Sequence, residues 1–440
     1  MVSQIVFILI SGAAITLAVR QFQRLFENIR LGKAGHIAGD SSMRWRNMLL
    51  VAFGQKKMFK NMLPAVLHLF IYVAFLITQI ELLEIFADGI TGNHRMFWPL
   101  LGGLYTFVIS FIEILSLLAL IATLAFLARR NLLKIDRFQK PELKGWPAKD
   151  ANFILYLEIA LIFFIFLMNS ADMALNQDVY GFAISQFFSP LWAETGENTL
   201  HLLERIGWWG HLGVVFAFLI YLPQSKHLHI IFAFPNTWFA RQSPRGEMEN
   251  MPEIMQEVKI MLGLAPEGNQ ATAAELPEFG ANDIFGMSWK TLLDAYSCTE
   301  CGRCTAVCPA NLTGKKLSPR KIVMDLRDRM EEVGQNIRSG NADFVKNPEL
   351  PLGRDNYQDG KSLFDYISRE EIHACTTCNA CVDACPVLIN PLEPILQMRR
   401  YEILTESAGP SDWLPMFNSL ENNGAVWAMP VERDAWVNLK

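Results

Sequence analysis

Residues 298–309 read CTECGRCTAVCP, and the same spacing returns at 375–386 as CTTCNACVDACP. Each is a C-x2-C-x2-C-x3-C-P run, and the two together use all eight cysteines of the 440-residue chain. Three closely spaced thiolates wrap one corner of an iron–sulfur cubane, but the fourth is aimed elsewhere, and in paired runs of this kind it ligates the other cluster. The spacing therefore predicts one [4Fe-4S] site at Cys298, Cys301, Cys304 and Cys385, and a second at Cys375, Cys378, Cys381 and Cys308. Zinc ribbons use pairs of cysteines and need neither the third Cys nor the Cys-Pro. The exchange would lock the runs together across the 66 residues between Cys308 and Cys375. In that interval Ser318-Pro319 is a helix start, with Ile322, Val323, Leu326, Met330 and Val333 as an apolar stripe for the cluster core. Ser339 to Gly360, rich in Asn, Asp, Gly and Pro, reads as an excursion loop.

Upstream of the cysteines the composition changes. The chain is 51% hydrophobic with a positive mean hydropathy of +0.19, and the apolar residues concentrate between Val2 and Phe234. A bilayer core about 30 Å thick needs roughly 20 apolar residues in a helix. Five stretches approach that length, at 3–19, 62–86, 98–128, 152–175 and 206–234, the last with a polar break at Gln224 to His229. The first lacks a basic leader and a small-residue exit, so it reads as a retained helix. The expected fold is α, a five-helix membrane domain over 1–235 followed by a mainly helical, ferredoxin-like dicluster domain over 291–405. A linker at 236–290 joins them, and 406–440 reads as an extension that contacts a partner.

Flanking Lys and Arg stay on the cytoplasmic side. Arg20 to Asn61 carries nine of them and Arg129 to Asp150 seven, whereas the other two connections carry one each, Arg95 and Arg205. Five spans then put the N-terminus outside an inner membrane and the cysteine domain in the cytoplasm, where thiolates stay reduced. A net charge of -5, with no basic patch interleaved with aromatics, excludes nucleic acid as a partner.

Ionisable or ligand side chains inside spans are costly and are functional candidates by default. His68, His211, His227 and His229 qualify. His211 and His229 are 18 residues apart, so an unbroken helix would present both on one face about 27 Å apart. His68 enters the second span at the depth of His229, and two imidazoles from different helices at one depth can coordinate a b-type haem. Glu113, near mid-membrane, and Glu158, nearer the cytoplasmic face, are candidates for a proton relay, or for simple interhelical hydrogen bonding.

The segment His211 to His229, HLGVVFAFLIYLPQSKHLH, resembles the last membrane helix of the haem b subunit of respiratory nitrate reductases. That family carries two His ten residues apart on its second helix; here His68 matches the first, and the second position is Thr78. The resemblance implies one haem b, with a second only where His211 finds another partner, for which His94, His201 and Met173 are the candidates. The segments SCTECGRCTAVCPANLTGKKLSPRKIV and ACTTCNACVDACPVLIN resemble the iron–sulfur domain of heterodisulfide reductases and of electron-transfer-flavoprotein:methylmenaquinone oxidoreductases. Those fused proteins continue into cysteine-rich CCG modules. With every cysteine already used, the resemblance implies a separate CCG subunit, an electron-transfer flavoprotein or other flavoprotein as donor, and menaquinone as acceptor. The other readings are a heterodisulfide-reductase-like or hydroxy-acid-dehydrogenase-linked electron-transfer subunit, or a haem-free iron–sulfur membrane anchor. No Gly-rich dinucleotide fingerprint, Walker loop or nucleophile elbow is present.

Overall fold

The computed structural model describes residues 1–133, 135–176, 180–264, 278–427 and 434–438, the side chain of Glu253 apart. Residues 265–277 of the expected linker, and 428–433 with 439–440 of the extension, lie outside the described residues.

Five helices are long and apolar enough to cross a membrane: Val2–Ile29, Met62–Thr91, Gly103–Asn131, Trp146–Asn176 and Glu197–Gln224. Leu9, Leu83, Phe107 and Phe163 stand exposed along them. In water these would be liabilities, but hydrocarbon is the solvent such faces require. The fourth and fifth spans pack most extensively on each other, the second packs on the third, and the first lies against the fifth and second. Small residues set the approach, as is usual where no hydrophobic force separates helix from lipid. A Cβ on Gly207 would stand 2.5 Å from the Met168 backbone nitrogen, so the fourth and fifth spans meet nearly backbone to backbone.

At the end of the bundle remote from the cysteines, Arg95 takes a left-handed backbone (φ 50°) and is 3% exposed. Its guanidinium donates to Asp172 (3.1 Å), Glu81 (3.2 Å), the Tyr105 hydroxyl (3.3 Å) and Asn169 (2.6 Å). Glu84 accepts from Tyr105 at 2.6 Å, which ties the second, third and fourth spans into one polar knot. Arg95, which the sequence offers as a loop charge, is therefore an interior residue.

The chain from His211 to His229 is not one helix; it breaks at Pro223 and Ser225, at the polar stretch that the sequence shows. The fifth span starts earlier, at Glu197, and closes in a short 3-10 turn over Leu222–Gln224 containing Pro223; Ser225 is extended (φ -115°, ψ 159°). A second 3-10 turn at Lys226–Leu228 feeds a separate helix, His229–Trp238. Proline cannot donate to a helical ladder, and the Ser225 hydroxyl accepts from the His227 amide and restarts the chain.

The cysteine domain is helical. Pro319–Ser339, capped by Ser318, runs where the apolar stripe predicts it, with Ile322, Val323, Leu326, Met330 and Val333 all buried. Ser339 to Gly360 holds only short turns and one bridge, Val345 with Tyr357. Among the described residues there is no extended sheet, only that bridge and another between Lys33 and Ser288.

The two halves share one core. The first helix is 28 residues, about 42 Å at 1.5 Å per residue, against about 30 Å of hydrocarbon, so its last turns leave the bilayer. There Leu25 and Ile29 join Leu228, Phe232, Leu292, Met330 and Ile395 in one buried cluster. Asn28 donates to the Tyr296 hydroxyl at 2.8 Å and accepts from Arg338 at 2.7 Å. Gly334 makes room for it, since a Cβ there would lie 1.9 Å from Asn28 Oδ1. Between the first and second spans, Ser41–Asn47 and a π-helical turn at Met48–Phe53 lie on the His229–Trp238 helix, with Trp45 edge-on to Trp238 at 4.8 Å.

Candidate metal centres

The two cysteine runs build the same loop twice. Glu300 (φ 54°) and Thr377 (φ 55°), at equivalent places between the first two cysteines, are both left-handed, and their amides donate to Cys298 Sγ and Cys375 Sγ at 3.4 Å. The residue after the second cysteine is left-handed again, Gly302 (φ 71°) and Asn379 (φ 60°), residue types that tolerate this region best. Each run then turns into one helical turn that carries its third cysteine.

The fourth cysteines cross over. Cys298, Cys301 and Cys304 wall one hollow together with Cys385, and Cys375, Cys378 and Cys381 wall another together with Cys308. Around the first stand Arg303, Arg320 and Val323; around the second, Leu317 and Ile395. Ile389 donates its amide to Cys385 Sγ at 3.3 Å. A single zinc ion at about 2.3 Å would draw its sulfurs to within roughly 3.8 Å of one another. Among the described residues no three His, Cys, Asp or Glu side chains converge that closely on a single ion. Burial pushes Cys298, Cys381 and Cys385 up to about 12, so thiolates here need the compensation that an iron–sulfur core supplies.

The histidines divide. His68 and His229 face each other with ring centres 6.4 Å apart and planes inclined by 43°. Each has its Nδ1 engaged, His68 with Gln55 Oε1 at 3.1 Å and His229 with the Lys226 carbonyl at 3.0 Å, which leaves Nε2 for a ligand. Bonds of this kind fix the tautomer of metal-binding imidazoles. His227 lies beside His229, 5.7 Å between centres, and its buried Nδ1 has no hydrogen-bond partner among the described residues. His211 is apart from the three, its Nδ1 3.1 Å from the Leu161 carbonyl. The residues considered as its partners are engaged elsewhere: His94 on Asp172, His201 near Glu197, Met173 packed by Tyr105 and Ile109.

The two carboxyls differ as well. Glu113 accepts from Asn169 Nδ2, the Ser185 hydroxyl and the amides of Ile184 and Ser185, so both oxygens hold the chain that follows the fourth span. Glu158 has no hydrogen-bond partner among the described residues.

Several residues that no motif marks hold the centres in place. Gln55, 6% exposed and left-handed (φ 50°), supports His68, and Lys226 joins Glu300 in an ion pair. Burial alone would raise the Glu300 carboxyl, but Lys226 and Arg327 outweigh it and hold the group below the usual range. Arg320 is wholly buried in the first cavity wall and donates to Glu142 (2.7 Å) and to the Arg137 carbonyl (2.8 Å), both on the connection between the third and fourth spans.

Residues 297–389 match the 4Fe-4S dicluster domain family. The chain is 28% identical over 458 residues to the "Probable iron-sulfur-binding oxidoreductase FadF" of Bacillus subtilis, covering 98% of this chain and 60% of that protein. It is 25% identical over 400 residues to the "EtfAB:quinone oxidoreductase" of Syntrophomonas wolfei, 86% of this chain and 51% of that one. Over 138 residues it is 34% identical to a "Probable membrane-anchored ferredoxin" of Chromohalobacter salexigens, 30% of this chain and 20% of the relative. The chain thus spans 60% and 51% of the lengths of the two relatives it matches most fully. No solved structure matches. With the five spans, these likenesses mark a membrane-embedded iron–sulfur protein of the electron-transfer kind, distantly related to those oxidoreductases.

Glu142→Ala would strand the Arg320 guanidinium in the first cavity wall. Breaking a buried pair from one side costs about 3–5 kcal/mol, while replacing both partners by apolar groups is far cheaper. Chemical denaturation in detergent is expected to show that loss for Glu142→Ala and recovery of most of it in Glu142→Ala/Arg320→Met. A single variant as stable as the parent would remove the pair from the cavity's support.

Proposed function

We propose that the chain is an electron-transfer subunit that passes electrons between a soluble partner on the cytoplasmic side and menaquinone in the membrane. In this reading Cys298, Cys301, Cys304 and Cys385 hold one [4Fe-4S] cluster, Cys308, Cys375, Cys378 and Cys381 a second, and His68 with His229 a haem b. The observation that carries it is the presence of two cysteine-walled hollows and a facing imidazole pair linked through Lys226 and Glu300. His68 and His229, each with Nδ1 engaged and Nε2 free of a hydrogen bond among the described residues, would be the ligands of such a haem iron. When bound, such groups take up and release single electrons at potentials set by their ligands and surroundings. The chain's residues supply the rest: Gln55 and the Lys226 carbonyl hold the two rings, and the amides on Cys298, Cys375 and Cys385 stabilise sulfur charge.

On the partner side, a CCG-type iron–sulfur subunit is what the family resemblance implies, and a flavoprotein donor is supported by the likeness to the EtfAB:quinone oxidoreductase of Syntrophomonas. Orientation rests on the loop charges, which favour the cysteine domain in the cytoplasm. His211 and His227 are assigned no haem here.

A second reading, a haem-free iron–sulfur protein anchored by the same five helices, is favoured by the ferredoxin relative over the cysteine part of the chain. An optical spectrum of the purified protein separates the two. The proposal expects reducible haem b bands, lost in His68→Ala while both iron–sulfur signals persist in paramagnetic resonance. A parent protein without such bands would leave the anchor as the better reading.

The ligand assignment is tested at the crossing. Cys385→Ala is expected to damage the cluster of Cys298, Cys301 and Cys304, far off in sequence. If that cluster's resonance stayed intact and the other's disappeared, the exchange would be wrong.

Reducing a quinone consumes protons, and of the two candidate carboxyls Glu158, the unpartnered one, suits a relay better than Glu113. Glu158→Gln is expected to leave haem content unchanged and to slow turnover with a menaquinone analogue. Unaltered turnover would return Glu158 to the packing of the fourth span.

A further inference from the structure

The two cysteine-walled hollows are not equivalent in what surrounds them. The hollow of Cys298, Cys301, Cys304 and Cys385 is enclosed by segments from the membrane side. Arg303, in its wall, donates to the Lys57 carbonyl at 3.2 Å, two residues from the Gln55 that holds His68. Val387, also in the wall, accepts from Asn236 on the His229–Trp238 helix at 2.9 Å. Glu300, whose amide donates to Cys298 Sγ, places its carboxylate between Lys226 and Arg327. Lys226 in turn gives its carbonyl to His229 Nδ1 and its ammonium to the Pro147 carbonyl at 2.7 Å. Each histidine of the pair is thus joined to the wall of this hollow by a short chain of contacts, His68 through Gln55 and Lys57 to Arg303, and His229 through Lys226 and Glu300 to Cys298.

The other hollow is tied to the membrane half only away from the histidines: Ser318, between its wall residues Leu317 and Pro319, donates to Glu142 at 2.7 Å, Asn311 beside wall residue Ala310 accepts from Lys140 at 3.1 Å, and among the described residues neither contact involves a residue that holds His68 or His229. Its Cys378 is the one exposed cysteine, and the turn that carries Cys381 meets the membrane half through the half-exposed pairing of Asp383 with Lys60 at 2.8 Å, with Arg245 of the linker on the same carboxylate at 2.6 Å. Surface pairs of that kind contribute little and are screened by salt. A buried, multiply bonded carboxylate such as Glu300 holds its neighbours in register.

We propose that the cluster site of Cys298, Cys301, Cys304 and Cys385 is the one that exchanges electrons with the His68–His229 pair, with Glu300 and Lys226 as positioning residues at that contact, and that electrons cross the protein surface at the Cys378 edge of the other site. This rests on the assignment of clusters and haem above and adds their order. At the contact one electron leaves the cysteine-held cluster, which is oxidised by one, and arrives at the histidine-held iron, which is reduced by one; no bond forms or breaks and no proton moves.

The experiment uses the full-length protein in detergent, with haem bands and both cluster signals recorded first. A parent lacking haem bands defeats the assignment above and is seen before any variant is compared. Two measurements then address the order. In rapid mixing with the methyl viologen radical, a donor small enough to reduce the partly exposed inner site directly, haem reduction is expected to be slowed but to persist in Cys381→Ala, where the surface-side cluster is lost, and to be abolished in Cys304→Ala. Equal rates in the two variants, or the larger loss in Cys381→Ala, would overturn the order. Because cysteine removal can unfold a domain, Lys226→Met provides the second measurement, with all groups retained. A resonance-monitored redox titration of that variant is expected to shift the midpoint of the Cys298–Cys385 cluster alone and to slow haem reduction several-fold. A shift in the other cluster instead, or none with an unchanged rate, would remove Glu300 and Lys226 from the contact.

Discussion

The crossing of Cys308 and Cys385 is the constraint around which the soluble half is arranged. Neither hollow is complete without a residue from the other run, so the two loops can close only against each other. The 66 residues between the runs are then forced to leave and return at adjacent points, and the helix Pro319–Ser339 is what fills that excursion. Its apolar stripe faces the core that both runs share, while Arg320 and Arg329, both wholly buried, bind carboxylates from other segments. Hydrophobic burial and buried ion pairs thus serve the same end, since a guanidinium enclosed without its carboxylate would cost several kcal/mol.

From that core the constraint passes into the membrane half. The first helix outlasts the bilayer and ends in contact with Tyr296 and Arg338, and the fifth span stops short so that the chain can turn beneath the cysteine loops. Membrane and cluster domains therefore have no separating hinge where they meet; Leu25, Ile29, Leu228 and Phe232 are part of the soluble core. Burying these side chains in one cluster ties the end of the first helix and the turn after the fifth span to the cysteine domain.

How much of this the sequence discloses depends on whether a signal is local. Cysteine spacing and runs of apolar residues are local, and the dicluster domain, the five spans and the helix after Ser318 are readable from them. The pairing of His68 with His229 is suggested by depth along two helices. The limits of the last span are not so readable: hydropathy continues through Ile230 to Phe234, whereas the backbone breaks at Pro223 and Ser225. Arg95 counts as a loop charge until its three-dimensional neighbours, Glu81, Asp172 and Asn169, are known. Gln55, Lys226 and Glu300 carry no motif at all, because their roles lie in contacts between segments far apart in the chain.

The break in the last span also explains how one short segment serves two halves of the molecule. On a continuous helix, residues three apart share a face, so Lys226 and His229 would point the same way. With Ser225 extended and a 3-10 turn after it, Lys226 reaches Glu300 in the cysteine domain, His227 packs on Phe218 of the fifth span, and His229 meets His68 on the second. Three side chains within four residues thereby address three different neighbours. A straight helix would satisfy the membrane equally well but could not bring the cysteine loop and the imidazole pair to the same turn of chain, so the loss of helical hydrogen bonds near Pro223 is offset by contacts that only the bend makes available.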